Sequence, residues 1–166
     1  MTTQSTHSLQ PLASADAVSG CWKLSEGRAL WRAGKSQPRA CDALFRRLSD
    51  DGHIDDNLAW QRYIAAVLNH NYTLAKYAAR FFSQPQTKAR AALYLQADQN
   101  PRSIAQSDNF TAKTAEESQI LRHGLVHLAA LDAQLASTLW QSYRLSHVFA
   151  PEDEQDVIAT LIKALY

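Results

Sequence analysis

Very little in this chain is in excess. Of its 166 residues, 17 are Lys or Arg and 16 are Asp or Glu, which leaves a formal net charge of +1. Near-neutrality removes any overall attraction to nucleic acid or an anionic membrane, so a polyanion could be held only by a local patch. Nucleic acid is therefore not an expected partner. Long apolar runs are also missing: Leu128 to Leu131 is typical, far short of the roughly 20 residues a bilayer-spanning helix needs. No membrane span is expected. Residues 1–20 lack both a basic segment and a continuous apolar segment, so they do not read as a signal peptide. Their Ser, Thr, Gln and Ala content predicts a flexible tail ahead of one domain over residues 21–166. Sustained apolar-polar alternation between turn signals is absent too, which argues against a β-sheet.

What is present is helical periodicity. With 46% hydrophobic and 20% charged residues, the chain can bury a core of useful size. Leu24, Arg28 and Trp31 share one helix, expected to end on a left-handed Gly34. A second helix runs from Cys41 to about Asp50 with Leu44, Phe45 and Leu48 inward, and Gly52 stops it. Trp60, Ile64, Val67 and Leu68 mark the buried stripe of a third, and Leu74, Tyr77, Ala78 and Phe81 that of a fourth. A helix from Pro85 to about Ala97 ends at Asn100-Pro101, and a short turn over 102–106 follows. Thr114 with Glu117 forms a capping box for a long helix carrying Leu121, Leu125 and Leu128. Its partner begins after Asp132 with Leu135, Leu139 and Tyr143 inward. Pro151 opens a last helix with Val157, Ile158, Leu161 and Leu165. The fold class is all-α, about eight helices stacked as antiparallel hairpins into a tetratricopeptide-like α-superhelix. Asn71 and Asp132 start equivalent second helices, a degenerate trace of repetition.

The stretch Trp31-Arg-Ala-Gly-Lys-Ser-Gln-Pro-Arg-Ala-Cys-Asp-Ala-Leu-Phe45 resembles the motif L-W-x-x-G-K-S-Q-P-x-A-C-D-x-L-F of the N-terminal superhelical domain of soluble lytic murein transglycosylases. Helix lengths and breaks stay co-linear with that domain down to Pro151-Glu-Asp-Glu-Gln, so the resemblance covers about Cys21 to Tyr166. The segment before Gly34 is shorter than the family's hairpin there. The resemblance implies a piece of a U-shaped or ring-forming scaffold that, in the family, supports a separate lysozyme-like domain acting on peptidoglycan in the periplasm. It also implies an oxidising compartment, in which Cys21 and Cys41, at opposite ends of one helix-loop unit, are expected to form a disulfide.

Family catalysis rests on a Glu in an E-S-x-x-x-P type motif followed by G-L-M-Q, a carboxyl group that protonates a glycosidic oxygen. Here the only Glu-Ser pair is Glu117-Ser118, which belongs to a capping box, and the sole Met is Met1. No catalytic residue is assigned, and the chain is expected to be inert by itself. His123 and His127 lie one turn apart, with Glu116 two turns back, but no Glu intervenes as in a zincin and no third ligand is indicated. They read as interface histidines, with no metal and no cofactor expected. His7, His53, His70 and His147 read as surface or capping residues.

Charge is polarised locally although balanced overall. Arg28, Arg32, Lys35, Arg39, Arg46 and Arg47 form a basic rim, followed by the acidic knot Asp50, Asp51, Asp55 and Asp56. The rim is either a solvated face or a surface for an acidic protein or for stem-peptide carboxylates. Trp22, Trp31, Trp60 and Trp140 read as packing residues rather than sugar platforms. Two functions follow. One is a non-catalytic scaffold that supports peptidoglycan binding or ring assembly. The other is a stand-alone solenoid adaptor or inhibitor for a cell-envelope protein, such as a transglycosylase. The terminal helix is expected to leave an apolar face for oligomerisation.

Overall fold

A computed structural model describes residues 24–166. The proposed tail and the residues Cys21 and Trp22 lie outside the described residues. Eight α-helices are present among them: α1 (Leu24–Arg32), α2 (Asp42–Asp50), α3 (Asp56–Leu68), α4 (Tyr72–Ala79), α5 (Pro85–Gln99), α6 (Ala115–Leu131), α7 (Ala133–Ser146) and α8 (Pro151–Leu165). No strand occurs among the described residues. Helices α3 and α4 form one hairpin and α6 and α7 another; α5 packs on α3 and α6, and α8 on α6 and α7.

The helix starts follow from local chemistry. Asp55, Asn71, Thr114 and Asp132 each accept a hydrogen bond from the backbone N–H three residues on, satisfying a donor that the first turn leaves orphaned. Pro85 and Pro151 occupy first-turn positions of α5 and α8, where the missing N–H is not needed. Asn71 and Asp132, the two residues that suggested repetition, are thus capping residues of the two hairpins' second helices.

Two clusters make the core. The larger runs from Ala59 of α3 through Tyr94, Ile120, Leu125 and Trp140 to Leu161 of α8; the smaller holds Trp31, Cys41, Phe45, Leu48 and Leu58. Leu68, expected inside, is half exposed because it lies at the last position of α3, past the end of the buried stripe. Phe81 lies beyond the end of α4 yet still packs on both clusters.

Gly34 does not take the left-handed conformation expected of it; among the described glycines only Gly52 does, with φ +70°. Its role is close approach. A Cβ at Gly34 would lie 2.1 Å from the Ala65 carbonyl oxygen, so only glycine lets the loop after α1 lie on α3. Gly124 plays the same part farther on, where a Cβ would meet Ile104 Cγ2 at 2.4 Å. That contact seats the 3-10 turn Pro101–Ala105 against α6.

Candidate functional site

The basic rim belongs to the N-terminal hairpin. Arg32, Lys35, Arg39, Arg46 and Arg47 are exposed and Arg28 is half-buried. Arg47 pairs with Asp51 at 3.5 Å, both well exposed, an interaction of small energetic weight. Arg46 borders an open concavity of about 390 Å³ lined also by Phe45, Ser49, Asp50, Tyr77 and Phe81. Of the rim, Arg46 thus flanks an aromatic-edged hollow between α2 and the end of α4.

Two members of the acidic knot are committed to structure. Asp55 caps α3 through Leu58 N. Asp56 accepts from Ser83 N at 2.8 Å, Ser83 Oγ at 2.7 Å and Gln84 N at 3.1 Å, tying the start of α3 to the start of α5. Burial works against its charge, but these hydrogen bonds outweigh burial and bring the carboxyl from 3.8 down to about 2.

Within the family-like stretch 31–45, Trp31, Gly34, Cys41 and Phe45 are buried. Trp31 is fully buried, with its ring edge-on to Phe45 at 5.3 Å and to Phe81 at 5.0 Å. Over the indole lies the guanidinium of Arg62, 4.4 Å from the ring centroid. Arg62, only 3% exposed, donates from Nη1 to the Trp31 carbonyl at the end of α1. Burial lowers its proton affinity, yet the ring face and the carbonyl dipoles replace the water it loses. Trp60 and Trp140 are buried as well, so the three described tryptophans serve packing. Cys41 is buried.

Glu117 is more than the far end of a capping box. Its Oε2 accepts from Lys113 N at 2.8 Å, one residue earlier than the Thr114 cap. The same oxygen lies 3.7 Å from His147 Nε2, with both side chains almost wholly buried. His147, expected at the surface or as a cap, is thus an interior residue, as is Phe149 just ahead of α8. The Glu117 carboxylate is thus buried beneath a helix start, hydrogen-bonded to a backbone N–H.

Among the described residues, helices α5 and α6 bring together a concentrated set of ligand-type side chains. Asp98, His123 and His127 each place a ligand atom within 4.8 Å of the others. His123 Nε2 lies 2.9 Å from Asp98 Oδ1, with side-chain exposures of 3% and 2%. Tyr94 stacks on the His123 ring at 4.7 Å, and the two imidazoles are 4.3 Å apart. Tyr72 of α4 donates to the other Asp98 oxygen at 2.9 Å. Burial lowers the His123 pKa, against the opposing hydrogen bond to Asp98, while the hydrogen bond to Asp98 raises that of Tyr72. Sequence reading found both histidines but not Asp98. The signal was its position four residues after Tyr94, on the stripe of α5 that also buries Ala91 and Ala97. Glu116, the acidic residue considered instead, pairs with Arg90 at 3.4 Å.

No protein-family model matches the chain, and no curated protein matches it. Among solved structures, it is similar to an inactive mutant of the lytic transglycosylase Slt from Pseudomonas aeruginosa, with a TM-score of 0.73 and 28% identity over 85% of this chain. It also shares the fold of the 70-kDa soluble lytic transglycosylase seen in complex with bulgecin A, with a TM-score of 0.67 and 23% identity over 85% of this chain. In both cases the match covers 23% of the solved chain. The chain thus corresponds to about a quarter of those proteins, and the resemblance carried by residues 31–45 extends to the three-dimensional fold.

Proposed function

We propose that this chain is a non-catalytic helical scaffold of the soluble lytic murein transglycosylase type, working in the periplasm to support peptidoglycan binding or ring assembly. The observation that carries the reading is the fold likeness at 28% identity over 85% of the chain, joined to a Glu-Ser pair that caps a helix. The basic rim from Arg28 to Arg47, beside the hollow at Phe45 and Tyr77, is the surface assigned to stem-peptide carboxylates and glycan. Sedimentation with purified sacculi tests this. The chain is expected to pellet with sacculi at low salt, and the triple variant Arg39→Ala, Arg46→Ala, Arg47→Ala to remain in solution with unchanged circular dichroism. No anhydro-sugar is expected in either supernatant. Equal pelleting of parent and variant would remove the rim from the reading, and anhydro-sugar release would overturn the scaffold role.

The same reading assigns a disulfide between Cys21 and Cys41. Such a bridge contributes on the order of 3 kcal/mol by restricting the unfolded chain. Thiol titration of the denatured, unreduced protein is expected to find no free cysteine, and reduction to lower the unfolding midpoint. Two titratable thiols would refute the bridge.

An adaptor role is favoured by one observation. Ile158, Ile162 and Leu165 of α8 are 40%, 56% and 42% exposed, an apolar strip able to meet a protein surface.

A further inference from the structure

The structure assigns a binding site for a divalent transition-metal ion of the zinc class to Asp98, His123 and His127, with a fourth position left toward solvent. The donor set is two imidazoles and one carboxylate, which zinc takes at about 2.0–2.2 Å, and three protein ligands leave a coordination position for water. Tetrahedral bonds of that length separate ligand atoms by about 3.3 Å. The three side chains already lie in that neighbourhood, with 2.9 Å between Asp98 Oδ1 and His123 Nε2 and all ligand atoms within 4.8 Å. His127 is the most open of the three, so its ring is the one free to adjust toward bonding distance.

Neighbouring side chains hold the two buried ligands as metal sites generally require. The Tyr72 hydroxyl holds the carboxylate through Oδ2, and His70 Nδ1 lies 3.3 Å from that hydroxyl. The Tyr94 ring fixes the plane of His123 by stacking. The Asp98 and His123 side chains are both almost fully buried, so the ligand pair is already desolvated and oriented. Arg122 is the nearby cation that would oppose a metal, but its guanidinium is engaged by Asp153 and Asp156 of α8. The metal would take the place of the hydrogen now shared between His123 Nε2 and Asp98 Oδ1; that proton would move to Nδ1, leaving the ring neutral with the Nε2 lone pair on the ion. Bound there, the ion would cross-link α5 to α6 at the centre of the superhelix.

Cobalt and zinc chlorides are the probes, added to the intact folded chain. Co²⁺ is expected to produce a one-to-one visible absorption of tetrahedral type that Zn²⁺ abolishes, and Zn²⁺ to raise the thermal midpoint. His127→Ala, at the open edge, should leave the metal-free midpoint nearly unchanged and weaken Co²⁺ binding at least about tenfold, since outer ligand losses alone cost 10–100-fold. Asp98→Asn should do the same, with some loss of metal-free stability. Absence of both the absorption band and the midpoint shift at millimolar metal would overturn the assignment. So would His127→Ala binding as tightly as the parent, which would place the ion on other histidines.

Discussion

Arg62 shows how one buried charge can organise a junction. The sequence places it in α3 among apolar neighbours, and the structure buries it between the Trp31 ring and the carbonyl end of α1. Its partners are a π face, backbone oxygens and the negative end of a helix, so no carboxylate is needed. Truncation would open a cavity beneath Trp31 and remove the side-chain donor from the Trp31 carbonyl. Arg62→Ala is expected to cost about 2–4 kcal/mol in urea unfolding. Arg62→Lys should recover less than half of that, because an ammonium cannot lie flat on the indole. A lysine variant as stable as the parent would show that charge alone suffices. Glu117 carries a similar message, since a residue legible as a cap also contacts the buried His147.

At the scale of elements, helix ends were the most legible features and helix-to-helix ties the least. Thr114, Asp132, Pro85 and Pro151 announce their helices because capping is chemistry within four residues. Asp56 does its work 27 residues away, at Ser83. Its carboxyl is more acidic in the folded chain, at about 2 against 3.8. The charged form is therefore favoured by folding: the stabilisation is complete above about pH 4 and is lost as the pH falls toward 2. Asp56 is partly open to solvent, so screening keeps its contribution near that of an ordinary cap, about 1 kcal/mol. Asp56→Asn is expected to lower stability at pH 7 by about that amount and to flatten the acid limb between pH 4 and 2. An unchanged acid limb in thermal melts would remove Asp56 as its source. Gly34 belongs to this scale as well, because its missing Cβ is what allows the loop after α1 to touch α3 at Ala65.

The whole molecule is a stack in which each hairpin covers its neighbour and the last helix has no following partner among the described residues. Val157 and Leu161 of α8 are buried against the larger cluster, while Ile158, Ile162 and Leu165 are not. Half of the face that periodicity marked as inward is therefore outward. The exposed half is expected to support weak self-association. Light scattering at rising concentration should show mass increasing above the monomer, and Ile158→Glu with Ile162→Glu should return it to monomer. A parent that stays monomeric throughout would show that the strip is simply tolerated. Among the described residues no helix is long and apolar enough to cross a membrane.

The sequence by itself determined the all-α class, the order of the helices and the starts of several of them, and the stretch 31–45 that carries the family resemblance. All three are written in short-range chemistry: apolar spacing of 3.6 residues, capping side chains, and prolines in first turns. Helix bounds such as Pro85 and Ala133 needed no knowledge of neighbours. Only the tertiary structure decided which polar groups would be enclosed. Asp98 meets His123 across 25 residues, Arg62 meets Trp31 across 31, and Glu117 meets His147 across 30. A side chain's helical register is set by the turn it sits on, but its burial is set by the helix that arrives against it. The aspartate that completes the histidine pair could therefore be found only once α5 and α6 were side by side.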